Sequence, residues 1–135
     1  MVNIIDPEVL TVGGVDLGPH VTNISLVANE MEQTFQGRGS QGQTIVPSGR
    51  SSGDTFAVTM QSDSTETVEG MLWDFKGTLQ TVVIRDSSAT VSANNPEFTA
   101  VCHISTNTPI SGNMGELSPN TMSWNIQGRI ARDTS

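Results

Sequence analysis

From Met122 to Ile130 apolar and polar positions take turns without a break: Met122, Trp124, Ile126, Gly128 and Ile130 alternate with Ser123, Asn125, Gln127 and Arg129. A period of two is the signature of a strand with one face on a core and the other on polar surroundings. The same period recurs over 54–60, with Phe56, Val58 and Met60 on one face. It recurs again over 98–105, where Phe98, Ala100, Cys102 and Ile104 oppose Thr99, Val101 and His103. Residues 21–27 (VTNISLV) are a further strand with Thr22, Ile24 and Leu26 together, and LQTVVIR over 79–85 is another, followed by a turn through Asp86, Ser87 and Ser88. Residues 1–20 read as an N-terminal arm with turns at Gly13-Gly14 and Gly18-Pro19.

One segment has a helical period instead. Over 63–76, Val68, Leu72 and Phe75 fall at i, i+4 and i+7 with Met71 beside them, giving one apolar stripe. Asp63 and Glu66 have the spacing of a capping box, Lys76 suits the negative C-terminal end, and Gly77 is the natural stop. Trp73 lies off the stripe's centre, so it either widens the buried face or meets a neighbouring chain. These elements predict a mainly β fold in a single domain over 1–135. It is an antiparallel β-sandwich or small barrel with one flanking α-helix and a long central hairpin loop.

That loop is residues 29–53, NEMEQTFQGRGSQGQTIVPSGRSSG. It is polar and glycine-rich, with two apolar spots, Met31 to Phe35 and Ile45-Val46, able to pair as an extended hairpin. Structureless loops of this length are uncommon inside a compact domain and are usually functional or disordered. Its centre, GRGSQG, fits the glycine spacing of a dinucleotide loop. Such a loop must follow a strand and open a helix, so that the helix N-terminus faces the pyrophosphate. Here Gln43 to Val46 reads extended, and Pro47, Ser48 and Gly49 break any helix. The motif reads as a loop tip.

Charge narrows the function classes. The formal net charge is −8, from 14 Asp and Glu against 6 Lys and Arg, and the basic residues are scattered. No basic stripe exists to neutralise phosphates, so tight nucleic-acid binding is disfavoured. Charged residues make up only 15% of the chain, which suits β-structure that buries surface against partners. No catalytic or metal-binding constellation stands out. Ser40 lacks the flanking glycines of a nucleophile elbow, and His20 and His103 have no zinc-site spacing. Cys102 and His103 point to opposite faces of one strand, and the carboxylate pairs Glu30/Glu32 and Glu66/Glu69 read as solvated or helix-end residues. The chain is expected to be no enzyme, to need no cofactor or metal, and to hold Cys102 as a buried, inert thiol. MVNIIDPEVL has neither the basic start nor the long apolar run of a secretory leader, and no apolar run is long enough for a membrane helix.

The second half of the chain resembles the tail-tube (major tail) proteins of long-tailed, non-contractile bacteriophages. The resemblance rests on the helix ending TVEGMLWDFKG, the strand TLQTVVIRD, the segment NNPEFTA, the turn TPISGNMGE and the final strand TMSWNIQGRIARDTS. It covers roughly residues 54–135, and more loosely the N-terminal hairpin region, through order and spacing rather than a unique fingerprint. It implies a virion protein, assembled in the host cytoplasm, whose copies join edge to edge into six-membered rings that stack into a tube. DNA passes through that tube without specific binding during ejection, and other tail proteins cap its ends. The resemblance makes residues 29–53 the inter-ring loop, with Phe35, Arg38, Ser40, Gln41, Ile45 and Arg50 as contact candidates. It makes the polar strand face of Ser123, Asn125 and Gln127 a candidate lumen wall. Arg129, on that same face, suits a lumen that repels phosphate only if it pairs with a carboxylate. A tail terminator or a capsid decoration protein is the alternative reading.

Overall fold

The computed structural model describes residues 7–18, 21–39, 41–61, 70–107, 114 and 119–135. Nine strands are described: β1 (Val9–Val12), β2 (Val15–Asp16), β3 (Val21–Val27), β4 (Glu30–Phe35), β5 (Thr44–Ser51), β6 (Thr55–Gln61), β7 (Leu79–Arg85), β8 (Glu97–His103) and β9 (Pro119–Asp133). The described helix, α1, spans Met71–Phe75. Seven strands form one sheet in the order β2-β1-β7-β8-β9-β6-β3, and β4 and β5 form a separate pair. All pairings are antiparallel, and the sheets curl into a half-barrel. The expectation of a mainly β, antiparallel sandwich or small barrel with one helix holds.

The curl depends on β9. Its first half pairs with β6, with Trp124 opposite Phe56 and Asn125 opposite Thr55. Its second half pairs with β8, with Ile126 opposite Cys102 and Asp133 opposite Glu97. The register shifts between Thr99 and Val101, where β9 holds extra residues around Gly128 at φ +75°. A bulge of this kind bends its strand and increases the local twist, which curls the sheet across β9. Alternation therefore delivers Met122, Trp124 and Ile126 to the core as expected, but Gly128 is exposed and Ile130 only partly buried.

The core lies on one side of this curled sheet. Trp124 and Phe56 are fully buried with ring centroids 5.9 Å apart, in a core cluster that also holds Val58, Met122, Ala100 and Cys102. The indole Nε1–H of Trp124 donates to the carbonyl of Thr106 at 3.0 Å, which satisfies the one polar atom this large side chain takes inside. Met71 and Leu72 of α1 close the core, with Phe75 packed at its edge. Gly77, at φ +83°, follows the helix as the sequence suggests. The capping-box residues Asp63 and Glu66, with Val68, lie outside the described residues.

Two expectations change. Described residues 7–18 of the expected arm are part of the sheet: Leu10, Val12 and Leu17 are core residues, and β1 pairs with β7 along its length. Leu10 and Val12 are a two-residue alternation, and the Gly13-Gly14 turn reverses the chain so that β2 runs back beside β1. Gly13 is at φ +59°, and a Cβ there would lie 2.7 Å from the Phe75 ring, so the turn packs directly on α1. In β3, the register shifts between Val21 and Asn23. That bulge turns Thr22 outward and lets Val21 join Ile24 and Leu26 against the core.

Candidate assembly hairpin and its anchor

β4 and β5 continue β3 and β6 beyond the sheet as a protruding ribbon. The apolar spots in 29–53 pair as expected, with Phe35 opposite Thr44, Thr34 opposite Ile45 and Gln33 opposite Val46. Residues directly opposite share a face. One face therefore carries Gln33, Phe35, Thr44 and Val46, and the other carries Glu32, Thr34, Ile45 and Pro47. Every residue of β4 is exposed, and in β5 only the last, Ser51, is half-buried. Phe35 is 58% exposed and Ile45 52%, with Met31 and Val46 also open to solvent. GRGSQG connects the two strands, Gly39 at φ +83°, and leads into β5 rather than a helix. Arg38 and Gln41 sit in this connection, whereas Ser40 lies outside the described residues.

The ribbon is fixed at its base by one side chain that the sequence pattern did not single out. Asp54 is 3% exposed and sits between the ribbon and the sheet. Its Oδ1 accepts the backbone N–H of Asn29 at 2.8 Å and the hydroxyl of Ser51 at 2.9 Å. Its Oδ2 accepts the N–H of Ile130 at 3.0 Å, and its own carbonyl accepts the N–H of Ile126. The Asn29 N–H holds the carboxyl below its ordinary range; burial opposes this, while Ile130, Ser51 and the charge of Arg129 reinforce it. Asn29 completes the joint by donating its side-chain amide to the carbonyl of Gly53 at 2.9 Å. One carboxylate thus ties β4, β5 and the β9 bulge together.

Arg129 projects from that bulge onto the ribbon. Its guanidinium pairs with Glu30 and donates to the carbonyl of Gly49 at 2.8 Å. Glu30 raises the arginine's pKa through this hydrogen bond and its charge. Arg129 thus belongs to the ribbon's anchor. Arg50 lies beside it, along a shallow groove bordered by Gly49, Gly53, Ile126 and Gly128.

Ser123, Asn125 and Gln127 are exposed on the face opposite the core. Their register neighbours there are Ala57 opposite Ser123, Thr55 opposite Asn125 and Val101 opposite Gln127, with Ser25 and Val27 beyond on β3. No charged residue occurs in β3, in β6 or in residues 119–128 of β9. This face offers hydroxyls and amides without ionic character. The chain's acidity lies elsewhere.

Remaining candidates are simply placed. Cys102 is fully buried, and burial pushes its thiol up to about 11. Trp73 is 53% exposed, with the Lys76 ammonium 4.2 Å from its ring centroid, so it does not widen the core. No group of three or more His, Cys, Asp or Glu able to hold a metal ion occurs among the described residues, and no helix among them is long and apolar enough to cross a membrane. No protein-family model matches the chain, and no curated protein matches it in sequence.

Proposed function

We propose that this chain is a structural subunit of a bacteriophage tail tube. Copies join through their sheet edges into six-membered rings, the rings stack through the β4–β5 ribbons, and DNA passes through the resulting tube. The observation that carries this reading is the ribbon itself. A two-stranded hairpin is at best marginally stable alone in water, yet this one carries Met31, Phe35, Ile45 and Val46 into solvent with no core to receive them. An arm of that kind is complete only against another surface.

Two further features support assembly. β3 is an edge strand of seven residues with no charge and no proline. Proteins that remain single blunt such edges with lysine, proline or short length, so an unprotected edge is suited to pairing with a second copy. The neutral face around Ser123, Asn125 and Gln127 suits a conduit wall because it gives phosphates no counter-charge to hold.

Negative-stain electron microscopy of the purified, concentrated protein tests the reading. Stacked rings or tubes with a stain-filled centre are expected. Isolated rings would favour a tail terminator, and monomers or trimers a capsid decoration protein. Deleting Gln36 to Gly49 is expected to leave a folded protein that no longer elongates. Tubes of normal length from that deletion would overturn the stacking role of the ribbon.

A further inference from the structure

The charges of this chain are unevenly placed, and the division falls within the ribbon, after Glu32. Residues 33–51 contain Arg38 and Arg50 and no carboxylate, while all 14 carboxylates lie in the remainder, against Lys76, Arg85, Arg129 and Arg132. Three of those four are engaged within the chain: Lys76 over the Trp73 ring, Arg85 with Glu97 at 3.0 Å, and Arg129 with Glu30. Arg38 and Arg50 have no carboxylate partner among the described residues, and both are exposed. Beyond Glu32 the ribbon is therefore cationic and apolar, whereas its base carries Glu32 and Glu30, the latter paired with Arg129, and the rest of the molecule is strongly acidic.

We infer that the β4–β5 ribbon docks on the acidic surface of a second copy of this chain, with Arg38 and Arg50 supplying the counter-charge that lets like-charged copies associate. The inference rests on the assembly reading above and adds the chemistry of the contact. Copies carrying a net −8 repel one another, and close approach requires a positive element on one side of the contact. A heterologous contact, in which one surface of a copy meets a different surface of the next, propagates into a stack rather than closing as a dimer. The apolar residues Phe35, Val46 and Met31 provide the packed area, and the arginines set partner and approach. Nucleic acid fits the ribbon less well. Two arginines and no lysine over residues 33–51 neutralise few phosphates, and nucleic acid does not supply the apolar surface that Phe35 and Val46 lack.

The test compares the full chain with Arg38→Glu/Arg50→Glu and with Arg38→Lys/Arg50→Lys, by sedimentation and electron microscopy over a range of salt. Both positions are exposed, so unchanged melting curves are expected and serve as the folding control. The critical concentration for assembly of the parent chain should rise with salt, because screening shortens from about 10 Å at 0.1 M to about 3 Å at 1 M. The Glu variant should need on the order of tenfold more protein or fail to assemble, and the Lys variant should assemble nearly as well as the parent. A Glu variant that assembles like the parent at every salt concentration would overturn the inference while leaving the tube reading intact. A parent chain that never assembles would overturn both. Loss of duplex-DNA retention in the Glu variant, with assembly unchanged, would assign the arginines to nucleic acid instead.

Discussion

β3 and β6 on one side of the Asp54 joint, and β4 and β5 on the other, are two halves of one long antiparallel excursion of the chain. Both halves are antiparallel pairs with one register shift each, and both carry apolar side chains, alternating in β6 and standing as Met31, Phe35 and the adjacent Ile45 and Val46 in the ribbon. Below the joint, Phe56, Val58 and Met60 are almost fully buried; above it, Phe35, Ile45 and Val46 are open to water. The difference is the presence of β9 and α1 on one side and their absence on the other. An apolar pattern marks what a segment is built to bury, and the surface that buries it need not belong to the same chain. The half below the joint is a folding element, and the half above it is the one we propose as an assembly element.

The deepest effect on the folded side should come from Trp124. Truncation to alanine removes a fully buried indole packed on Phe56 and the hydrogen bond to Thr106, and should cost about 3–5 kcal/mol in a denaturant titration. An unchanged midpoint would contradict the placement of Trp124 in the core. It would also remove the main distinction between the two halves.

The joint comes next. Asp54→Ala leaves the N–H groups of Asn29 and Ile130 without their acceptor and should cost about 1–3 kcal/mol. Asp54→Asn keeps one acceptor oxygen and should fall between. The carboxyl's folded pKa lies below its unfolded value, so its contribution is fully present above about pH 4 and is lost as pH falls through the folded pKa. Urea midpoints of the parent and Asp54→Asn should therefore differ at pH 7 and converge as the pH is taken below about 4. A difference that stays constant down to pH 3 would mean that the ionised carboxylate is not what secures the ribbon.

Elements whose signal is local were legible in the sequence. The alternation in β6 and the first half of β9 placed their core residues correctly, in β8 it placed Ala100 and Cys102 but not the half-buried Phe98, and the paired apolar spots around Phe35 and Ile45 identified the ribbon. What escaped depends on partners far along the chain. Asp54 reads as an ordinary strand-leading residue until Ile130, 76 positions away, is brought to its Oδ2. Arg129 stood out as a cation on a polar strand face, but its partner Glu30, 99 positions away, is brought to it only by the Gly128 bulge. Leu10 and Val12 had a legible two-residue alternation, but the glycines that follow at 13, 14 and 18 suggested an arm and hid a strand that pairs with β7. Of the candidate contact residues, Phe35, Arg38, Gln41, Ile45 and Arg50 all lie on the ribbon or its connection.

The smallest effect on folding should come from the ribbon's own apolar residues, and this is where the comparison is sharpest. Phe35→Ser and Val46→Ser remove side chains that touch little in the single chain, so each should shift monomer stability by no more than about 0.5 kcal/mol. The same substitutions should impair assembly, because Phe35 and Val46 share the ribbon face that would be covered in a stack. Melting curves and sedimentation of the same samples separate the two quantities. If Phe35→Ser lowers the melting temperature as Trp124→Ala does, the ribbon is part of the folding core and the contrast between the halves disappears. If it leaves both melting and assembly unchanged, Phe35 is outside the contact. The interface would then have to be sought along β3, an uncharged strand at the edge of the sheet among the described residues.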